Sequence, residues 1–199
     1  IISMSLPSSG GILIGQMLKV IEDYDIKSFG HNSVKTVQLL VEAERRAYAD
    51  RSHFMGDPDY MDLPVYELMD KEYVVDRMKN FSWDKATSSS DVKHGNIILN
   101  ESDETTHYSI IDKHGNSVSV TTTLNNSYGS KVFVEEGGFF LNNEMDDFSS
   151  KPGHPNFYGL IGSEANSIQP GKRMLSSMTP SIILKNNKPI ENNNIHQRI

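Results

Sequence analysis

Thr105 opens the run Thr105-Thr106-His107-Tyr108-Ser109, and Thr123-Leu124-Asn125 follows further along the chain. A mid-chain threonine hydroxyl is a poor nucleophile. If the Glu104–Thr105 peptide bond is cut, Thr105 becomes a chain terminus. Its own α-amine, with a pKa of about 8, can then take the hydroxyl proton, which is the threonine/N-terminal-amine pairing of nucleophilic catalysis. The Glu104–Thr105 link is therefore where self-processing is expected. On spacing alone, a β-branched residue opening a strand explains Thr105 more simply.

Three other groups have chemistry-bearing spacing. Thr123 can hydrogen-bond Thr105 and orient it, and Asn125 can meet a ligand carboxylate or the new amine; a Ser/Thr-rich solvent face is the plainer alternative. Glu144 and Asp147 stand three positions apart, so one turn brings both carboxylates to one side, where they suit an ammonium group. Calcium would accept the same oxygens, but the EF-hand spacing is absent, and an exposed acidic loop remains open. Ser176 and Ser177 sit between Leu175 and Met178, and two adjacent hydroxyls in a turn can grip a carboxylate alongside backbone amides; they can equally be a cap. The seven histidines form no His-x-x-x-His pair, and His107 reads as packing in the strand. No phosphate-cradling glycine loop is seen. No metal or cofactor is expected.

These groups need elements to position them. Leu6-Pro7-Ser8-Ser9-Gly10-Gly11 reads as a turn feeding a helix, with Ser8 or Ser9 as cap and Leu13, Met17, Val20, Ile21 and Tyr24 as its apolar stripe. A second helix is expected from the cap Ser33 to about Ala49, with Val34, Val37, Val41 and Tyr48 inward and Glu42, Glu44, Arg45 and Arg46 toward water. A third runs from about Val65 to Asn80, with Leu68, Val75 and Met78 on one side. Residues 82–100, including Thr87-Ser88-Ser89-Ser90-Asp91, read as an exposed linker able to distort at a cleavage site.

Beyond it the period changes to alternation. Residues 105–112 and 116–125 read as two strands joined by Asp112-Lys113-His114-Gly115-Asn116, a three-residue hairpin loop with a left-handed glycine and a bulge. That loop pairs Asp112 with Asn116 and hence Thr105 with Thr123, with Asn125 further along the same face. A two-residue loop would break that alignment. Val132–Leu141 reads as further strand, residues 142–155 and 156–167 as loops, and residues 180–185 as a short apolar strand. Helices first and strands later fit an α+β or a layered α/β/β/α plan.

The 199 residues carry 19 basic and 26 acidic side chains, a net charge of −7, and no cysteine. Disulfides and thiolate chemistry are excluded. The acidic balance argues against a nucleic-acid partner, and no apolar run approaches the length of a membrane span.

Taken together, the blocks Thr105–Ser109, Thr121–Asn125, Leu141–Phe148, Pro155–Leu160 and Lys172–Met178 resemble the γ-glutamyltransferase family, as do Pro7–Gly11 and Ala47–Arg51 upstream. The resemblance implies an N-terminal-nucleophile hydrolase of four stacked αββα layers, incomplete in this chain. It implies a cut between Glu104 and Thr105, with residues 1–104 as the end of a large subunit and residues 105–199 as the start of a small one. Thr105 would be the nucleophile and Thr123 its support. Asn125, Glu144 and Asp147 would hold the α-amino and α-carboxylate region of a glutamyl group, Ser176 and Ser177 the α-carboxylate, and Tyr158 a lid. Glutathione and other γ-glutamyl compounds would be donors, and water, amino acids or peptides acceptors. A periplasmic or secreted location is implied.

Two departures qualify the likeness. The family's carboxylate arginine belongs to a region upstream of these residues, and its Gly-Ser-Pro-Gly-Gly oxyanion turn has no counterpart in the glycine-free residues 186–199. Met174 stands where a proline is usual. The expectation is a fragment of an active parent, itself silent, since one oxyanion donor alone is worth roughly 10²–10³ in rate. A related acylase cutting a β-lactam side chain and a catalytically dead paralogue acting as a binding module are the alternatives.

Overall fold

The structure is a computed structural model, and it describes residues 1–92, 105–155 and 161–190. Glu104, Tyr158, the later part of the expected linker and the tail from residue 191 lie outside the described residues, and of Thr105 only the backbone is described.

Among the described residues, five helices come first: α1 (Gly10–Ile21), α2 (Ile26–Phe29), α3 (Val34–Phe54), α4 (Val65–Leu68) and α5 (Lys71–Arg77). Three two-stranded antiparallel sheets follow: β1 (Thr105–Ile111) with β2 (Ser117–Thr123), β3 (Phe133–Val134) with β4 (Phe139–Phe140), and β5 (Leu184–Lys185) with β6 (Lys188–Pro189). Short 3₁₀ turns at Glu144–Asp147 and Glu164–Asn166 lie between them. The architecture is α+β.

Helix α1 packs on α3, and Ile12, Leu13, Ala47, Met55 and Leu68 form a core with Leu175 from the far end of the chain. A second cluster joins Val20, Leu39 and Ala43 to Val74 and Met78. Gly10 opens α1 with no room for a side chain: a Cβ there would meet Thr179 Oγ1 at 1.8 Å. The helical half thus grips the segment that carries Ser176 and Ser177.

Several expectations are corrected. Ser9 sits at the start of α1, but its side chain makes no cap; Ser8 and Ser9 are used elsewhere, as described below. Ser33 does cap α3, accepting from Thr36 N at 3.2 Å, and the helix runs on to Phe54. Its inward face is the reverse of the one expected near the start. Val34 is 82% exposed, and Val37 and Val41 are also exposed, whereas Glu42 and Arg46 are buried. The stripe Leu39-Ala43-Ala47 faces α1, and the charges beside it are buried because they pair with each other. The third helix is two helices: Asp70 caps α5 by accepting from Tyr73 N at 3.0 Å. Val74 rather than Val75 is buried. In the expected linker, Thr87 is tied down, its amide donating to Glu42 Oε1 at 2.9 Å. Residues 132–141 form a small hairpin instead of one strand, and residues 180–185 contribute only an isolated bridge of Ile182 with Ile2 and the two residues of β5.

The main hairpin follows the expected register. Thr105 pairs with Thr123 and Ile111 with Ser117. Gly115 takes φ +84°, and Asp112 closes the loop, accepting from His114 N, Asn116 N and Asn116 Nδ2. These bonds, led by that from the Asn116 side chain, hold the Asp112 carboxyl below its ordinary pKa.

Candidate active site

The end of the hairpin sets the first part of the site. β2 stops at Thr123, whose Oγ1 accepts from Asn125 N at 3.0 Å. The chain then turns: Asn125 takes φ +72° and is buried. Asn125 therefore does not continue the strand face toward Thr105, as the alternation had implied. Its Nδ2 instead donates to Asn143 O at 3.2 Å, while Asn143 Oδ1 accepts from Asn126 N and Asn143 N donates to Leu124 O. These bonds stitch the hairpin end to the segment that begins the acidic turn.

Glu144 and Asp147 occupy that turn, a single 3₁₀ turn in which residues three apart stack on one side. Burial raises the Glu144 carboxyl above its ordinary pKa. Burial also pushes Asp147 up to about 6; the Arg51 charge opposes this, while Glu144 and Asp146 add to it. Two carboxylates held near each other and short of solvent invite a cation. Asp147 opens into a cavity of about 240 Å³ whose wall includes Arg51 and Ser52 of α3, Asp146, Ser149, Ser150, Lys151, His154, Asn166 and Leu175.

Ser176 and Ser177 were expected in a turn or cap; instead Ser176 forms a parallel bridge with Ser8, and the chain is bent by the bond from Met178 N to Ser176 Oγ, the sense in which this segment is called the serine turn. Ser176 O accepts from Ser9 N at 2.8 Å and from Ser9 Oγ at 2.9 Å. Ser176 N donates to Pro7 O at 3.0 Å, and Ser8 Oγ donates to Met178 O. The residues expected to cap α1 thus clamp the serine turn. Arg51 Nε, buried, donates to Ser9 Oγ at 2.9 Å and fixes that hydroxyl. Ser176 Oγ accepts from Met178 N at 3.1 Å. Ser177 O accepts from Thr179 Oγ1 at 2.7 Å.

Asn166 links the acidic turn to the chain just before the serine pair, its side chain meeting Asp147 O and Leu175 N, and Asn143 joins Asn125 to the acidic turn. It does not place all expected residues on one wall: the cavity is lined by Asp147 and Leu175, but not by Thr123, Asn125, Glu144, Ser176 or Ser177. His107 is held across the hairpin, Nδ1 at 2.8 Å from Thr121 Oγ1 and Nε2 at 3.0 Å from Ser109 Oγ. No group of metal-binding residues occurs among the described residues.

Sequence reasoning missed Arg51, Asn143 and Asn166. Arg51 lies in the block Ala47–Arg51, one of the blocks that carry the family resemblance, and that was a usable signal. Asparagines in loops have no periodicity to betray them.

The described residues thus form an α+β chain in which a hairpin begins at residue 105, its far end is tied to an acidic turn, and that turn is tied to the residue before Ser176. The fold is similar to that of a cephalosporin acylase from Bacillus halodurans: TM-score 0.69 at 20% identity over 94% of this chain and 31% of that one. At that identity the likeness concerns the fold alone. The chain belongs to the gamma-glutamyltranspeptidase family, whose model matches residues 1–191. It is 48% identical to the glutathione hydrolase proenzyme of Escherichia coli (strain K12) over 94% of this chain and 32% of that protein. It is 46% identical to the corresponding proenzyme of Pseudomonas sp. (strain A14) over 96% of this chain and 33% of that protein. An Acylase ACY 1 proenzyme of Pseudomonas sp. (strain SE83) stands at 39% over 90% of this chain and 30% of that protein. The chain spans about a third of the length of these relatives.

Proposed function

We propose that the protein carrying this sequence is a self-processing γ-glutamyltransferase and glutathione hydrolase. Thr105 Oγ attacks the Glu104 carbonyl carbon, the C–N bond to Thr105 breaks, and water releases the resulting ester, leaving Thr105 with a free α-amine. Residues 1–104 then end a large subunit and residues 105–199 begin a small one. In turnover the amine accepts the Thr105 hydroxyl proton as Oγ attacks the γ-carbonyl of a bound γ-glutamyl compound. The proton passes to the leaving amine, and a γ-glutamyl ester remains. Water, an amino acid or a peptide then takes the acyl group in a ping-pong reaction.

Recognition falls to the paired turns. Glu144 and Asp147, with Asn125 beside them, face the substrate ammonium; Ser176 and Ser177 face the α-carboxylate. Thr123, opposite residue 105 in the register, supports the nucleophile, and Tyr158 belongs to a lid. Holding both ends of the zwitterion positions the γ-carbonyl, which is a large share of such a rate enhancement. The chain is one part of a four-layer αββα fold. No described helix is long and apolar enough to cross a membrane, and a periplasmic or secreted location accords with the family.

The observation that carries this reading is Asn166, whose side chain meets Asp147 O in the acidic turn and Leu175 N just before Ser176; on this reading the acidic turn is the cation-seeking end of the site and the serine pair its anion-seeking end. The family's acylase members supply the contrast. Release from γ-glutamyl and glutaryl anilides of the same leaving group tests it. A strong preference for the γ-glutamyl donor is expected, and an equal or greater rate on the glutaryl donor overturns the reading in favour of an acylase.

A further inference from the structure

Asn166 is 6% exposed, and its amide is spent at both ends. Nδ2 donates to Asp147 O at 2.7 Å, and Oδ1 accepts from Leu175 N at 2.9 Å. Its own backbone is also held, O accepting from Ser149 N at 2.9 Å and N donating to Ser163 O at 3.2 Å. One rigid amide plane therefore spans from the last residue of the acidic turn to the residue just before Ser176. Both contacts are to backbone atoms, so a change of Asn166, although it lines the same cavity as Asp147, alters where the two segments stand without removing any side chain assigned to the ammonium or the carboxylate.

The partners beyond each contact are equally constrained. On the serine side, Leu175 is buried in the core with α1 and α3, and Ser176 is clamped by Ser9, itself held by Arg51. On the acidic side, Asn143 ties the turn to the hairpin end. Asn166 is the described side chain that joins these two anchored bodies.

We infer that Asn166 is a positioning residue that sets the distance between the ammonium-binding and carboxylate-binding halves of the head-group site, and so makes the two halves act together on one ligand. This rests on the reading of that site given above. A fixed spacing means that once one end of a zwitterion is bound, the other meets its partners without further ordering. With the spacing loosened, each end binds on its own terms.

The test uses four small ligands that form a thermodynamic cycle: L-glutamate, glutarate (no ammonium), 4-aminobutyrate (no α-carboxylate) and butyrate (neither). Their dissociation constants are measured calorimetrically on the protein carrying this sequence and on its Asn166→Ala and Asn166→Asp variants. In the unaltered protein the gain from the ammonium is expected to be about 10-fold greater when the carboxylate is present, a coupling in the range seen for groups sharing a network. In both variants that coupling should fall toward one, with L-glutamate losing most and butyrate unchanged. Asn166→Asp keeps the acceptor for Leu175 N and loses the donor to Asp147 O, so it decides the matter if the alanine variant does not fold. Coupling retained in a folded variant, additive binding in the unaltered protein, or failure of both variants to fold overturns the inference. If the unaltered protein fails to prefer L-glutamate over glutarate and 4-aminobutyrate, the head-group reading itself falls, a result distinct from the others.

Discussion

Arg46 and Arg51 leave helix α3 a little over one turn apart, and each points a buried guanidinium at a carboxylate, but in different surroundings. Arg46 is saturated: Nε donates to Arg77 O, Nη1 to Glu42 O and Oε2, and Nη2 to Asn80 Oδ1 and Thr87 Oγ1. Burial alone would raise Glu42, yet the bonds from Arg46 and Thr87 and the Arg46 charge outweigh it and leave that carboxyl below its ordinary value. Asp57, almost wholly buried, is treated likewise by Arg173, which donates to it from N, Nε and Nη2 and holds it well below the carboxylate range. The Asp147 carboxylate feels Arg51 as an opposing charge, but no described hydrogen bond lowers its pKa, and burial wins. Glu42 and Asp57 are charges whose partners are already in place. Asp147 is held by burial without such bonds, and the proposed reading assigns its carboxylate to the substrate ammonium.

The contrast can be broken most forcefully at Arg46. Arg46→Ala leaves Glu42, at 2% exposure, as a buried charge short of its main partner. A loss of about 3–5 kcal/mol in chemical denaturation is expected, with L-glutamate affinity unchanged in the fraction that folds. Asp147→Asn should do the reverse. Stability is expected to hold or rise, because an under-compensated charge is removed, while L-glutamate binding weakens by about 10- to 100-fold, as for loss of one charged hydrogen bond. A variant that loses stability and keeps affinity would erase the distinction between the two regions.

Titration sharpens the same comparison. If, as proposed, the Asp147 carboxylate meets the ammonium, L-glutamate affinity should be level above about pH 6 and fall as pH drops through that value. The stability effect has the opposite sign. The folded protein holds a proton on Asp147 that the unfolded chain gives up, so this group disfavours folding above about 6, and acidification toward the ordinary carboxyl range relieves it. Glu42 and Asp57 contribute stability that is present above the ordinary carboxyl range and lost below it. The smallest effect belongs to Arg51→Gln, which should shift the midpoint of the affinity profile upward from about 6, whereas Arg51→Lys should leave it in place. Equal midpoints in both variants would show that the Arg51 charge does not reach Asp147.

Parts of this were legible in the sequence because local chemistry decides them. The Asp112–Asn116 loop needs a left-handed residue at Gly115, and with that loop the pairing of Thr105 with Thr123 follows. The placement of Glu144 and Asp147 on a single turn was also readable from spacing. The buried face of α3 was not, because hydrophobic periodicity treats Glu42 and Arg46 as solvent-seeking when their mutual pairing lets them go inside. The break before α5 was written in Asp70, a good cap overlooked within an apolar pattern. Asn125 was misplaced because alternation cannot announce where a strand stops, and here Asn125 N turns back onto Thr123 Oγ1. Asn166 could not be found at all: its importance lies in which two distant backbone atoms meet its amide.

The account depends on residue 105 becoming a chain end, and the most direct test is the N-terminal sequence of the smaller polypeptide in the mature protein, together with its γ-glutamyl transfer activity. The account predicts a sequence beginning Thr105-Thr106-His107, with cleavage and activity both absent in Thr105→Ala. A protein intact across the Glu104–Thr105 bond that still consumes glutathione would contradict it.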